Sequence, residues 1–287
     1  MFSIIIPTFN NFNYLKICIE SIKKNSKFNH QIIVHVNEGR DQTLKYLQLK
    51  KIAFTYTKNN VGLCKGVNMA AKIAKKKYIV YSHDDFYFCP LWDKYFLDEI
   101  KKIKHNKFYI SGTMTDTIIR DKFDCGNTYK NFNEFKFLNN FKKTKYKDLQ
   151  GSTWAPHIVE TKLWNRVGGF SEEFFPGAGS DPDLAMKLWK CKVRIFKSLG
   201  KCVIYHFGSK TLRGKLSKSL TANLGSKSSK IFLLKWGISI KFFRKHYLKS
   251  DTKFDGFLKN PKKNLFYYFD LFKCKLTFIF HRFLSSS

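Results

Sequence analysis

Acidic residues are scarce: 21 aspartates and glutamates face 53 lysines and arginines, a formal net charge of +32 over 287 residues. That imbalance predicts attraction to polyanions, whether nucleic acid, an anionic bilayer or phosphate-bearing small molecules, and does not choose among them. A solvated lysine-rich surface accounts for the same figure. Cysteine pairs at close spacing are missing as well. The seven cysteines, at 18, 64, 89, 125, 191, 202 and 274, exclude a finger-type zinc site or a Cys-x-x-Cys redox centre and suit a reducing compartment. No run approaches the roughly 18 consecutive apolar residues of a membrane span. The chain opens directly on a strand-like run, Phe2-Ser3-Ile4-Ile5-Ile6, without a charged segment leading into a cleavable apolar stretch. The expectation is a cytoplasmic protein, soluble or peripheral on the inner face of a membrane. No internal repeat is visible.

What is present is enough for a full core: 44% of the residues are hydrophobic. Over the first hundred residues strand-like and helix-like patterns alternate. Ser3–Ile6, closed by Pro7, reads as a buried strand, followed by Leu15, Cys18, Ile19 and Ile22 at helical spacing. Ile32–Val36, Ile52–Tyr56 and Tyr78–Ser82 read as further strands. Between them, Leu44 and Leu47, then Val67, Ala70, Ala71 and Ala74, mark helices. Pro90 suits the first turn of a helix carrying Trp92, Phe96, Ile100 and Ile103. Such alternation implies an α/β, doubly wound sheet, whose ligands bind beyond the carboxyl ends of its strands. Pro7–Asn10, Asn37–Arg40 and His83–Phe86 all follow strands. The pattern fades over about 115–150, read as an insertion, and returns at Gly151-Ser152-Thr153-Trp154. It ends in a strand over Lys201–His206. Domain bounds of 1–210 and 211–287 follow, the second part being basic and aromatic.

Chemistry-bearing residues fall in four places. Asp84-Asp85, after a strand, would repel each other without a cation, and oxygen ligands of this kind suit Mg²⁺ or Mn²⁺; capping the next turn is the simpler reading. In Gly179-Ser180-Asp181-Pro182-Asp183, Pro182 fits the first helical position and puts Asp181 at the N-cap. A carboxylate there could take a proton from a hydroxyl, though a helix N-terminus makes it a weaker base. His206 ends an apolar strand; alone it reads as structural, and beside Asp84 and Asp85 it would complete a nitrogen/oxygen site favouring Mn²⁺. Asn60, Gly62, Lys65 and Asn68 lead into a helix whose amides could face phosphate, or form an ordinary turn.

Taken in order, these pieces resemble family 2 glycosyltransferases of the GT-A fold. Ser3-Ile4-Ile5-Ile6-Pro7-Thr8-Phe9-Asn10-Asn11 is similar to that family's opening strand and loop. Asn37-Glu38-Gly39 stands where the family has Asp-Asp/Asn-Gly-Ser, and Asn60, Gly62 and Asn68 resemble its Asn-x-Gly…Asn segment. His83-Asp84-Asp85 looks like its Asp-x-Asp motif, Gly168-Gly169-Phe170-Ser171-Glu172-Glu173 like its Gly-Gly-Phe-x-Glu, and Ser180-Asp181-Pro182-Asp183 like its Glu-Asp-x-Asp. The resemblance covers roughly Phe2 to Ser209. It implies an inverting, metal-dependent transfer from a nucleotide-diphosphate sugar to a hydroxyl, in cell-surface polysaccharide or glycan synthesis. It further implies Asp181 as base, and Asp84, Asp85 and His206 around Mn²⁺ or Mg²⁺. The donor-contacting set would be Pro7, Thr8, Phe9, Asn10, Glu38, Asn60, Gly62, Lys65, Asn68, Asp84 and Asp183. Glu38, His83 and Ser180 depart from the family's usual residues.

In the C-terminal segment Leu265, Phe269, Phe272, Leu276, Ile279 or Phe280, and Phe283 form a helical stripe, with Lys273, Lys275 and Arg282 mostly off it. Two readings follow. The stripe packs on the catalytic domain or a partner chain, or it lies on an anionic membrane near a glycan or lipid-linked acceptor. A nucleic-acid-binding protein is the rival that charge alone suggests, but no recognisable nucleic-acid module is present. A sugar-nucleotide nucleotidyltransferase would open with a glycine-rich basic loop that this chain lacks. A non-catalytic sugar-nucleotide-binding homologue remains as a third rival.

Overall fold

A computed structural model describes residues 1–115, 125–143, 145–208 and 218–283, with side chains from 224 onward in the last stretch. Its amino-terminal part is wound as the alternation predicts. Strands β1 (Phe2–Phe9), β2 (Gln31–Asn37), β3 (Ala53–Thr57) and β4 (Tyr78–Tyr81) are joined by helices α1 (Phe12–Asn25), α2 (Thr43–Leu49) and α3 (Gly62–Ala71). They lie in the order β3-β2-β1-β4, every pair parallel. Ile4, Ile5 and Ile6 are each 0% exposed, so β1 is covered on both faces, as an unbroken apolar run demands. Each buried isoleucine contributes about 1.5–3 kcal/mol. Part of that cover comes from α3, through Cys64, Val67, Ala70 and Ala71, whereas α1, with Leu15, Cys18, Ile19 and Ile22 buried, packs on the strand over Phe86–Phe88.

Pro7 does not close β1, which continues to Phe9 and pairs with β2 throughout. β4 pairs with β1 only as far as Ile5, whose carbonyl accepts from Ser82 N–H at 3.0 Å. Two residues on, Pro7 turns its nitrogen to the side that β4 has left, where no ladder bond is lost. The strand order therefore reverses at β1/β4, and the ends of these two strands open a crevice.

The rest of the sheet is mixed. β5 (Phe86–Phe88), α4 (Trp92–Ile103), β6 (Phe108–Thr115), α5 (Glu134–Lys143), β7 (Leu149–Gln150), β8 (His157–Glu160), α6 (Thr161–Arg166), α7 (Ser180–Lys190) and β9 (Ile195–His206) follow in turn. The sheet continues past β4 as β8-β6-β9-β5, with β7 beside β9. β9 begins six residues before the strand expected at Lys201–His206. The region read as an insertion carries α5 and β7 in its described part; 116–124 and 144 lie outside the described residues.

Beyond β9, helix α8 (Lys218–Trp236) is tied to the preceding part of the chain by Lys235, which pairs with Glu173 at 2.7 Å and Asp183 at 3.0 Å. Phe232 and Leu233 of α8 join the main core. A helical turn (Ile240–Phe242) runs into a π-helical segment (Phe243–Leu248), and helix α9 (Leu265–Phe283) follows. α9 packs through Tyr267 and Cys274, with Leu271 and Phe278 partly buried. The stripe read from the sequence points the other way: Phe269, Phe272, Leu276, Ile279, Phe280 and Phe283 are 50–73% exposed. The stripe therefore does not pack on the preceding domain, the first of the two readings; the narrower Tyr267/Leu271/Cys274/Phe278 line holds the helix, and it does so against the C-terminal segment itself. Among the described residues no helix is long and apolar enough to cross a membrane.

Candidate active site

The crevice at β1/β4 gathers the first group. Thr8, near the end of β1, donates its hydroxyl to Asp84 Oδ2 at 2.7 Å, and Asn11 also bonds this carboxylate. Burial, and then the neighbouring charge of Asp85, push the Asp84 carboxyl up to about 7.

His206 arrives from the far end of the chain through antiparallel pairing of β5 with β9, which sets Phe86 opposite His206. Phe207 N–H donates to the Asp85 carbonyl at 3.1 Å, and His206 Nε2 lies 3.3 Å from Asp85 Oδ2. His83 completes the group: one ligand atom from each of His83, Asp85 and His206 lies within 4.8 Å of the others. Burial lowers the His83 pKa to about 4, so the imidazole is neutral and has a lone pair to offer. A set of two nitrogens and a carboxylate fits Mn²⁺ better than Mg²⁺. The expected trio is Asp84, Asp85 and His206; the ligand atoms gathered here are those of His83, Asp85 and His206. Asp84 is turned to Thr8, and the histidine standing where the family motif has an acid joins the cluster.

Asp181 is not an N-cap. Gly179, at φ +82°, occupies that position, α7 starts at Ser180, and no side-chain capping bond forms. The Asp181 side chain is 24% exposed, but its Oδ1 is enclosed, has no hydrogen-bond partner and lies 3.7 Å from His157 Nδ1. Burial raises its pKa to about 7. Desolvation therefore outweighs the helix end that was expected to keep this carboxylate a weak base. His157, on β8, is fully buried, and burial lowers its pKa to about 3. Its Nδ1 sits 2.8 Å from Tyr109 Oη, and its Nε2 has no partner.

Tyr81 links the two groups. Its ring centroid is 5.4 Å from that of His83 and 5.1 Å from that of His157, and its buried hydroxyl also lacks a partner. A path of neighbouring side chains thus runs from His206 through His83, Tyr81 and His157 to Asp181. Tyr81 Oη, His157 Nε2 and Asp181 Oδ1 are enclosed polar atoms with no hydrogen-bond partner among the described residues. Sequence reasoning missed His157, Tyr81 and Tyr109. Nothing marks His157 locally, since β8 is only four residues long.

The other expected donor contacts divide. Asn10 (φ +48°) and Glu38 (φ +65°) meet across the ends of β1 and β2, with Asn10 Nδ2 donating to Glu38 Oε2 at 3.1 Å. Arg40 Nε pairs with the same oxygen at 3.0 Å, so Pro7–Asn10 and Glu38 form one rim of the crevice. At the N-terminus of α3 three backbone amides have partners within the chain: Val61 N–H donates to Asn37 Oδ1, Gly62 N–H to Asn60 Oδ1, and Leu63 N–H to the Pro176 carbonyl, each at 2.9 Å. Gly62, at φ +80°, lets Phe175 approach; a Cβ there would stand 2.6 Å from its ring. Lys65 stays exposed on α3. Asn68 clamps the loop after α6, accepting from Phe170 N–H at 2.9 Å and donating to the Phe170 carbonyl at 2.8 Å. Asp183 accepts from Ser171 Oγ at 2.6 Å and Trp236 Nε1 at 2.9 Å while pairing with Lys235. Residues two apart on a helix face different ways, so Asp183 points to α8 while Asp181 points to His157.

Comparisons with known proteins identify the family and the fold. The sequence model described as "Glycosyl transferase family 2" matches residues 3–163. An uncharacterized glycosyltransferase of Rickettsia prowazekii (strain Madrid E) is 38% identical over 90 residues, spanning 30% of this chain and 28% of that protein. Among solved structures, S. aureus TarS 1–349 in complex with UDP aligns with a TM-score of 0.54 at 15% identity, covering 81% of this chain and 71% of that one. GalNAc-T7 with UDP, GalNAc and Mn²⁺ aligns with a TM-score of 0.56 at 15% identity, covering 72% and 43%. These neighbours share the α/β GT-A fold with its mostly parallel sheet. The family match extends over more than half of the chain, from β1 to the start of α6: the protein belongs to glycosyl transferase family 2.

Proposed function

We propose that the protein is an inverting glycosyltransferase that moves a sugar from a nucleoside-diphosphate sugar to a hydroxyl of a glycan or lipid-linked acceptor, in cell-surface polysaccharide or glycan synthesis. One observation carries the reading: Asp181, enclosed and unpartnered, is joined through His157 and Tyr81 to the His83/Asp85/His206 cluster. Its raised pKa, about 7, suits a general base at neutral pH. Asp181 takes the proton of the acceptor hydroxyl as that oxygen bonds to the anomeric carbon. The bond from this carbon to the diphosphate oxygen breaks, and the nucleoside diphosphate departs with the electron pair. Pro7, Thr8, Phe9, Asn10 and Glu38 hold the nucleoside at the rim. Asp84, fixed by Thr8, keeps the turn carrying Asp85 in place. A divalent ion held by His83, Asp85 and His206 would offset the charge of the leaving diphosphate.

Support for the donor class comes from relatives of the same fold: S. aureus TarS has been solved with UDP and with UDP-GlcNAc, and GalNAc-T7 with UDP and Mn²⁺. Residues 1–210 form the catalytic unit in this reading, 211–287 are its extension, and the protein works at the cytoplasmic face of a membrane. The decisive experiment is a screen of UDP-, GDP-, CDP- and dTDP-sugars for Mn²⁺-dependent binding and slow donor hydrolysis. One nucleotide should stand out and require the ion. Ion-dependent binding without hydrolysis or transfer would leave a non-catalytic binding protein. Binding only to nucleic acid, weakening steeply with salt, would overturn the reading.

A further inference from the structure

The orientation of α9 exposes a surface that the catalytic reading does not use. The helix is held on one side only: Tyr267 stacks edge-on with Phe242 at 5.1 Å, Ser239 N–H donates to Cys274 Sγ at 3.4 Å, and Asp270 pairs with Lys245 at 2.7 Å and His246 at 2.8 Å. At about 100° per residue, the six exposed side chains from Phe269 to Phe283 all lie within about 60° of the direction opposite Cys274. Lys275 and Arg282 border this strip on one side and Lys273 on the other. Lys273 Nζ sits 4.1 Å over the Phe269 ring. Asp270, the single acid of the helix, is turned inward. With about 200 Å² on each large aromatic, the strip exposes apolar area on the order of 600 Å², at or beyond the largest patch usual on a soluble monomer.

We infer that α9 is an in-plane membrane helix whose Phe269/Phe272/Leu276/Phe283 face enters the interface of a bilayer rich in anionic lipid. Charge selects this occupant. A second copy seated face to face would bring Lys273, Lys275 and Arg282 against their own kind, whereas anionic headgroups neutralise them. In the segment beneath, Lys241, Arg244, Lys245, Lys249 and Asp251 line a cleft of about 720 Å³, with Arg244 paired to Asp251 and Lys245 to Asp270. Lys259, Lys262 and Lys263 lead into the helix. The helix cannot cross the membrane; with an apolar face bordered by cations it lies along the surface. The inference narrows the acceptor class proposed above to one carried on a membrane, while the membrane contact itself is independent of that reading.

The test is flotation of the full-length protein with vesicles of phosphatidylcholine alone and of equal parts phosphatidylcholine and phosphatidylglycerol. The parent should float with the anionic vesicles and far less with the neutral ones, with the difference shrinking in high salt. Phe272→Asp/Leu276→Asp should bind at least about a hundredfold more weakly. Lys273→Gln/Lys275→Gln/Arg282→Gln should lose a similar factor on anionic vesicles only. All of these positions are exposed, so melting temperatures should stay at the parent value, and donor hydrolysis in solution should be unchanged in both variants. Equal flotation of the parent and the aspartate variant overturns the inference. So does negligible binding of the parent, or a dimer in sedimentation equilibrium that the aspartate variant abolishes while vesicles are ignored. A parent that floats but hydrolyses no donor leaves the membrane helix standing and removes the transferase reading.

Discussion

At Asp181 desolvation and function pull in opposite directions. In an unfolded chain its carboxyl ionises near about 3.9; in the folded protein burial raises it to about 7. The native state therefore binds this proton more tightly. Stability from the site is present below about pH 4 and is lost as pH climbs through about 7. Asp181→Asn should accordingly raise the melting temperature at pH 8, by an amount on the order of 2–4 kcal/mol of stability, and leave it unchanged at pH 4. Catalysis runs the other way. The parent's kcat/KM should climb with pH to a plateau above about 7, and the asparagine variant should lose about 10²–10⁴-fold in kcat while still binding donor. Near-normal transfer by that variant would reassign the residue to a structural role. If the proposed ion site is right, His83→Ala in the His83/Asp85/His206 cluster should weaken Mn²⁺ binding at least about tenfold, read by electron paramagnetic resonance of the free ion. An unchanged affinity would restore the set expected from the sequence, with Asp84 in the place of His83.

Elements matter here chiefly through the direction in which they present neighbouring residues. Helix α7 sends Asp181 toward β8 and Asp183 toward α8, and the second carboxylate is an anchor. Completely buried, it holds Lys235, Trp236 and Ser171 together. Asp183→Ala should cost about 1–3 kcal/mol, since it leaves Trp236 Nε1 and Ser171 Oγ without their acceptor, while Lys235 keeps Glu173. Thermal melting would show the loss, and donor affinity measured well below the transition should be unaltered. A large drop in donor affinity with little loss of stability would return Asp183 to the binding site. The antiparallel β5–β9 pair has the complementary role: without it, His206 would be a histidine at the end of an apolar strand, far in sequence from Asp85.

For the whole molecule, the charge of +32 divides into parts with different duties. Some cations are pinned inside, as Lys197 is between Glu99 at 2.7 Å and Asp148 at 2.8 Å. Others concentrate where the C-terminal segment meets solvent, around the cleft and α9. That segment is not a loose appendage at its start, because α8 shares the main core with the sheet. A protein so arranged should associate with anionic surfaces in a salt-sensitive way while the chemistry in its crevice, buried and close-range, responds little to ionic strength. Donor hydrolysis compared at low and high salt, beside vesicle binding under the same conditions, separates the two.

Much of the fold could be read in advance because the β1–α3 region repeats a local rule, apolar strand then amphipathic helix, that needs no distant partner to be recognised. Ile4-Ile5-Ile6 and the Leu15/Cys18/Ile19/Ile22 stripe show it most plainly. The family motifs likewise pointed to Asp85, Asp181 and His206 in linear order. Direction and burial were not legible. Whether Asp84 or His83 faces His206 depends on how one turn is clasped by Thr8. Whether Asp181 is a cap or an enclosed carboxylate depends on Gly179 taking the cap position and on His157 arriving from a four-residue strand. The stripe on α9 was visible as a pattern, but its outward orientation was fixed by Tyr267, Asp270 and Cys274 gripping the preceding helical segment. Periodicity is a property of neighbours along the chain and survives in the sequence, whereas a pKa, a ligand set or an exposed face is set by atoms that only folding brings near.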